Sequence, residues 1–114
     1  MLTIYGLPGC DSCRKARKWL EDNNIEYGFH DLRVDGVDKH MLERWCNAHG
    51  WKKLLNKRST TWRGIPEAQR SGLSEEKALV LILENPTLVK RPVAEKGGAV
   101  LIGFTAAAYR DLFM

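Results

Sequence analysis

The feature that most constrains this chain is a Cys-x-x-Cys pair, Cys10 and Cys13, between a predicted strand and a predicted helix. Residues 2–5 are apolar, β-branched or aromatic and favour a short buried strand, and the glycines and proline of residues 6–9 favour a turn. Helical spacing of apolar residues then extends from Asp11 to about Asn24. The pair therefore opens a helix, where free backbone N–H groups stabilise a thiolate.

This placement predicts redox chemistry at Cys10. The helix start, together with the positive charge of Arg14 one turn later, should lower the pKa of the Cys10 thiol and make it a nucleophile. Cys13 shares the helix face with Cys10 and could attack a mixed disulfide formed there. Cys46 lies mid-helix on an apolar face, and we expect it to be a buried, inert thiol.

The remaining pattern predicts an α/β fold. Residues 25–31 alternate apolar and polar positions, so strand, helix and strand form a parallel βαβ unit. The middle of the chain reads as helical, with Asp38 capping a helix that ends at His49 and Ser74 capping Glu75–Glu84. A hairpin and a final helix, capped by Thr105, follow. One domain with a mixed four-stranded sheet is expected.

The positive charge is concentrated in one segment. The chain has 18 basic and 14 acidic residues, and residues 44–66 contain no acid. The basic residues of that segment are Arg44, Lys52, Lys53, Lys57, Arg58 and Arg63. The segment could bind an anion, an acidic partner or nucleic acid, or it could be a solvated face. No helix carries a continuous basic stripe, so nucleic acid is not the expected partner. Residues 58–63 read as irregular.

Composition excludes several classes of protein. Hydrophobic residues make up 44% of the chain and charged residues 28%, which is typical of a globular domain. The longest apolar run, residues 78–83, is too short to span a membrane, and no signal peptide is visible. We therefore expect a soluble, cytoplasmic protein. Its expected oligomeric state is a monomer. Three cysteines without a second closely spaced ligand pair predict no metal site.

Four segments resemble the arsenate-reductase-like (ArsC) family. They are LTIYGLPGCDSCRKARKWL (residues 2–20), LLNKRSTTWR (54–63), LVKRP (88–92) and VLIGF (100–104). The family includes glutaredoxin-coupled arsenate reductases, Spx transcriptional regulators and small YffB-type proteins, and the second segment is most similar to the YffB-type branch. The resemblance implies a thioredoxin-like fold, with a core of about residues 1–31 and 89–114 and a helical insertion of about residues 32–88.

The resemblance also implies roles for particular residues. Cys10 and Arg14 match the cysteine that attacks the oxyanion in arsenate reductases and the arginine four positions later. Arg58 and Arg91 match two arginines of the family, and Pro92 matches a proline that is typically cis. A cis bond would fix the backbone near the thiol, and the alternative is an ordinary strand-initiating proline.

Three departures from the family pattern bear on arsenate chemistry. Gly6 stands where arsenate reductases have a histidine, and Gly103 stands where they have another arginine. Cys13 is a second cysteine that those reductases usually lack. A missing arginine removes a charge-assisted contact worth about 1.5–3 kcal/mol, so efficient arsenate reduction is not expected.

The resulting prediction is a glutathione-dependent thiol–disulfide oxidoreductase with Cys10 as nucleophile. Glutathione would be a co-substrate rather than a tightly bound cofactor, with a glutaredoxin or a protein disulfide as a further partner. The expected glutathione-binding residues are Gly9, Arg58, Arg91 and Pro92. Two alternatives remain: an arsenate reductase with glutathione or glutaredoxin as reductant, and an Spx-like redox-sensing regulator that binds RNA polymerase.

Overall fold

The computed structural model describes all 114 residues, which form two compact units, residues 1–35 with 91–114 and residues 36–90. The first unit contains the strands β1 (Thr3–Gly6), β2 (Gly28–Asp31), β3 (Val93–Lys96) and β4 (Ala99–Ile102), with the helices α1 (Asp11–Asp22) and α7 (Ala106–Phe113). The second unit contains α2 (Lys39–His49), α3 (Trp51–Leu54), α4 (Thr60–Arg63), α5 (Glu67–Arg70), α6 (Glu75–Glu84) and the 3-10 helix Pro86–Leu88.

The four strands form one mixed sheet in the order β2–β1–β3–β4. β1 and β2 are parallel, with Gly6 opposite Asp31, so both strands end at the same edge of the sheet. β3 runs antiparallel to β1 and to β4. Gly97 and Gly98 join β3 to β4 with φ angles of 53° and 91°, which glycine adopts without strain. The predicted βαβ, helical and ββα order is confirmed.

The core of the first unit lies between the sheet and its helices. Ile4 and Ala94 pair across β1 and β3 and are fully buried. Ala16 and Leu20, four residues apart on α1, present its apolar stripe to the same cluster. Tyr109 of α7 completes the cluster and packs edge-on against the rings of three aromatic neighbours, Trp19, Phe104 and Phe113. This packing fixes α1, and with it the residues at the start of α1.

The second unit is helical throughout. Asp38 caps α2 by accepting a hydrogen bond from the N–H of Met41 at 2.9 Å, and Ser74 caps α6. Trp45 and Ile82 are fully buried. A backbone hydrogen bond joins the end of α3 to the last residue of the unit: the Leu54 carbonyl accepts from the N–H of Lys90 at 2.7 Å. No helix is long enough to cross a membrane, because the longest, α1, has 12 residues where about 20 are needed.

The prediction that residues 58–63 are irregular holds for Arg58 and Ser59 but is wrong for residues 60–63. Thr60–Arg63 forms the helical turn α4, because the Ser59 hydroxyl accepts from the N–H of Trp62 at 3.1 Å and so caps the turn. A second hydroxyl contact, between Thr61 and Thr87 at 2.7 Å, joins this turn to the 3-10 helix. These two contacts fix the part of the basic segment that contains α4.

Candidate active site

Cys10 lies at the N-terminus of α1, at the end of the turn that leaves β1. Its N–H donates to the carbonyl of Leu7 at 3.2 Å, and its own carbonyl accepts from the N–H of Arg14 at 2.9 Å. It occupies the N-cap position with extended backbone (φ −79°, ψ 127°), next to the first helical turn, whose N–H groups have no partner within the helix. The thiol is partly exposed and is not in a disulfide.

The surroundings of Cys10 favour its thiolate. Partial burial opposes ionisation, but the backbone N–H of Cys13, the guanidinium of Arg91 and the thiol of Cys13 each stabilise the negative sulfur. The balance lowers the pKa of Cys10 below its ordinary value. A partly exposed cysteine with a lowered pKa is a nucleophile near neutral pH.

Cys13 is a different kind of thiol. It is fully buried, and burial, with the neighbouring Cys10 sulfur, raises the pKa of Cys13 to about 12. At neutral pH Cys13 is therefore protonated and donates a hydrogen bond to the Cys10 thiolate. Gly6 provides the space for the Cys13 side chain, because a Cβ at position 6 would overlap the Cys13 sulfur.

The structure corrects the expected position of Arg14. Its guanidinium forms an ion pair with the Asp11 carboxylate on an exposed part of α1. Helix geometry favours an exposed ion pair between side chains three residues apart, so the Arg14 guanidinium contacts the Asp11 carboxylate. The guanidinium that stabilises the Cys10 thiolate belongs to Arg91 instead.

Arg91 and Pro92 precede β3 in the same unit as Cys10. The Arg91–Pro92 peptide bond is cis, as the resemblance implied. The carbonyl of Pro92 accepts from the N–H of Gly103 at 2.8 Å, which ties this segment to the end of β4. Arg91 is thus held at the sheet edge where β1 ends and the turn to Cys10 begins.

A cavity of about 530 Å³ opens beside Cys10. The residues that line it are Leu7, Pro8, Gly9, Cys10, Asp31, Arg33, Val34 and Arg91. Gly9, Cys10 and Arg91 were predicted from the sequence, and Arg33 and Val34 were missed. The missed residues follow β2, and the parallel pairing of β1 with β2 carries them to the edge that holds Cys10. A predicted βαβ unit contains this signal, because parallel strands end at one edge.

Arg58 lies in the second unit, in another environment. It lines a groove of about 400 Å³ together with four lysines, Lys52, Lys53, Lys57 and Lys90, and with Leu55 and Asn56. The five cations are exposed, and the Lys57 ammonium lies 5.7 Å from the centre of the Trp62 ring. The groove can attract an anion, but it contains no nucleophilic group.

The remaining candidates from the sequence are the third cysteine, Cys46, and the side chains that could bind a metal ion. Cys46 is buried in α2, and burial together with the Glu75 carboxylate raises the pKa of Cys46 to about 11. Such a thiol is inert near neutral pH. No cluster of three or more histidine, cysteine or acidic side chains is arranged to hold a metal ion.

A mixed four-stranded sheet in the order β2–β1–β3–β4, with a cysteine at the start of the helix that follows β1, defines the class of proteins with a thioredoxin-like fold. A glutaredoxin of Archaeoglobus fulgidus, 14% identical with a TM-score of 0.52 over 97% of this chain and 83% of its own, shows the same fold. The profile of the ArsC family matches residues 5–112. This chain belongs to the ArsC family.

Individual relatives agree with this membership. An uncharacterised protein of Haemophilus influenzae is 47% identical over 99% of both chains. The solved structure of a protein called YFFB is 43% identical and covers all of both chains with a TM-score of 0.97. An arsenate reductase (ArsC) related protein from Brucella melitensis is 44% identical over 98% of this chain and 93% of its own, with a TM-score of 0.76. The global transcriptional regulator Spx of Streptococcus agalactiae is 29% identical over 91% of this chain and 77% of its own.

Proposed function

We propose that this protein is a thiol–disulfide oxidoreductase that uses Cys10 as its nucleophile and glutathione as its low-mass thiol. The observation that supports the proposal best is the Cys10 thiol itself, partly exposed in an open cavity and stabilised as a thiolate by Arg91 and by the N-terminus of α1. Membership of the ArsC family, with its arsenate-reductase-like thiol chemistry, agrees with this assignment.

The first step is attack of the Cys10 thiolate on a disulfide. A new S–S bond forms between Cys10 and one substrate sulfur, and the other sulfur leaves as a thiolate that takes a proton from water. Arg91 contacts the attacking sulfur, so its positive charge also lies close to the developing negative charge on the leaving sulfur. No electrons are gained or lost overall, because one disulfide is exchanged for another.

The second step releases Cys10. A glutathione thiolate attacks the substrate sulfur of the mixed disulfide, so that a disulfide forms between glutathione and that sulfur and the Cys10–substrate bond breaks to restore the Cys10 thiolate. The product is glutathione disulfide when the bound substrate half is itself glutathione. Cys13 could attack instead, but burial, the largest cause of its raised pKa, persists in the mixed disulfide and favours the protonated thiol. We therefore assign external glutathione, or a glutaredoxin, as the main resolving thiol and Cys13 as the hydrogen-bond donor that stabilises the thiolate.

The test is alkylation of Cys10 by iodoacetamide as a function of pH, followed by mass spectrometry. Cys10 should react with an apparent pKa below its ordinary value, and glutathione disulfide should form an adduct on Cys10 in both wild type and Cys13→Ser. An adduct confined to Cys13→Ser, with a Cys10–Cys13 disulfide in wild type, would make Cys13 the resolving residue. An unshifted pKa and no adduct would overturn the proposal.

Arsenate reduction is the second candidate, and the contact between Arg91 and Cys10 favours it because a guanidinium binds oxyanions well. Gly6 and Gly103 stand where the resemblance places a histidine and an arginine, so the expected rate is low. Coupled turnover with arsenate, glutathione and glutaredoxin is the measurement, with the Cys10→Ser variant as the blank. Turnover that disappears in that variant would establish this activity.

A further inference from the structure

The Cys10 cavity contains a second guanidinium, that of Arg33, which no sequence pattern marked. Arg33 follows β2, and the parallel pairing of Gly6 with Asp31 brings the ends of the two strands side by side. The N–H of Leu32 donates to the Gly6 carbonyl at 2.9 Å and extends the pairing one residue beyond the strand. The segment after β2 therefore leaves the sheet beside the turn that carries Cys10.

The turn that carries Arg33 is fixed by its own acidic residues. The Asp31 carboxylate accepts from the backbone N–H of Arg33 at 2.8 Å and from that of Val34 at 3.1 Å. The Asp35 carboxylate accepts from the N–H of Asp31 at 2.9 Å, and the Asp31 carbonyl accepts from the N–H of Asp35 at 2.8 Å. These four bonds hold the backbone of Arg33 in place and bind both carboxylates to N–H groups of the turn.

The Arg33 guanidinium is available for an external anion. Arg33 is exposed, and it takes no part in the ion pairs that join Arg14 to Asp11 and Lys18 to Asp22. Beside it, Val34 is 79% exposed, and it lines the same cavity as Leu7 and Pro8. The cavity thus combines a reactive sulfur, a cation separate from the one that stabilises that sulfur, and an apolar wall.

We propose that Arg33 binds a carboxylate of the sulfur-bearing substrate, so that Cys10 reacts preferentially with anionic low-mass disulfides. This inference rests on the proposed thiol–disulfide exchange and assigns its substrate class. Arg33 is not among the groups that stabilise the Cys10 thiolate, so its effect falls on ligand binding rather than on the reactivity of the sulfur. Arg91 then stabilises the reacting sulfur, and Arg33 binds the carboxylate of the substrate.

The test compares two disulfides of different charge. Rates of mixed-disulfide formation at Cys10 are measured by mass spectrometry with glutathione disulfide, which is anionic, and with hydroxyethyl disulfide, which is neutral. The variant is Arg33→Gln. The control is Arg110→Gln, which removes the same charge from an exposed position of α7 outside the cavity.

Arg33→Gln should slow the reaction with glutathione disulfide by about three- to tenfold, the range of a solvent-exposed charge-assisted contact. It should leave hydroxyethyl disulfide within about twofold, and Arg110→Gln should leave both unchanged. Equal slowing by the two variants, or equal slowing with the two disulfides, would overturn the role of Arg33 while thiol exchange remained. Absence of a mixed disulfide with both reagents in wild type would overturn the proposed function and this inference with it.

Discussion

The Cys10 cavity and the basic groove of the second unit teach different lessons about charge. The groove has five exposed cations, whereas the cavity has two guanidiniums and one partly buried sulfur. Exposed charges interact weakly through water, while a guanidinium bonded to a partly buried thiol changes the ionisation of that thiol. The groove could be predicted from the sequence because its basic residues are numerous. The cavity is the candidate active site because one of its guanidiniums, that of Arg91, acts on a thiol.

The largest expected effect comes from the nucleophile. Cys10→Ser should abolish mixed-disulfide formation with every disulfide, whereas Cys46→Ala, in the second unit, should leave the rate unchanged because Cys46 is buried with a raised pKa. Mass spectrometry after incubation with glutathione disulfide provides the measurement. A residual adduct on Cys10→Ser, located at Cys13 or Cys46, would show that the contrast between these thiols is mistaken.

Two glycines that precede Cys10, Gly6 at the end of β1 and Gly9 in the cavity wall, sharpen the comparison within the first unit. Gly6→Ala places a methyl group against the Cys13 sulfur and should lower the free energy of unfolding by about 1–3 kcal/mol. Gly9→Ala meets no atom within 4 Å and should change that free energy by less than about 0.5 kcal/mol. Urea unfolding at neutral pH measures both, and similar values for the two variants would contradict the close contact between Gly6 and Cys13.

The buried thiols of the two units predict a loss of stability in alkali. Each has a folded-state pKa above the ordinary value of 9.0, about 12 for Cys13 and about 11 for Cys46. Above pH 9 the unfolded thiols ionise first, so stability is full below about pH 9 and falls as the pH rises towards those folded-state values. Each thiol contributes up to about 1.4 kcal/mol per pH unit.

Urea unfolding at pH 8 and pH 10 tests this prediction. Cys13→Ala and Cys46→Ala should each show a smaller loss of stability between the two pH values than wild type does. A loss of equal size in wild type and both variants would assign the alkaline sensitivity to other groups. Tyr109, whose pKa is also raised by burial, is the next candidate, and Tyr109→Phe would test it.

The smallest effects separate Arg91 from Arg58. Arg91→Ala should raise the pKa of Cys10 and slow its alkylation near pH 7 by up to about tenfold, because a charge-assisted contact to the thiolate is lost. Arg58→Ala should leave the pH profile of alkylation unchanged and should change the rate with glutathione disulfide by less than about twofold, because Arg58 lines the groove of the second unit and not the Cys10 cavity. A shifted alkylation profile in Arg58→Ala, or an unshifted one in Arg91→Ala, would remove the distinction between the two arginines.

Local rules account for the parts of the fold that the sequence predicted well. The caps at Asp38, Ser74 and Thr105 are side chains that bond to an N–H three residues later, so a short window of sequence contains the whole signal. Ser59 caps α4 in the same way, but this cap lies among basic residues and was not recognised in the sequence. The predicted role of Arg14 was wrong because Arg14 forms an ion pair with Asp11, three residues earlier in the same helix.

Features that depend on strand pairing were harder to predict. Arg33 reaches the cavity only because β2 pairs in parallel with β1, and Gly6 matters only because α1 packs Cys13 against that strand. Both involve contacts between residues that belong to different elements, and no local pattern specifies such contacts. The cysteine pair itself was recognisable because strand, turn and helix start are consecutive in the chain.

The self-contained turn at residues 31–35 has an evolutionary consequence. Its shape depends on Asp31 and Asp35 bonding to the turn's own backbone, and the groups that stabilise the thiolate belong to other segments. Replacement of the side chains at positions 33 and 34 can therefore change which molecules the cavity attracts without removing the groups that lower the pKa of Cys10. Selection can thus act on these two positions separately from the cysteine beside them.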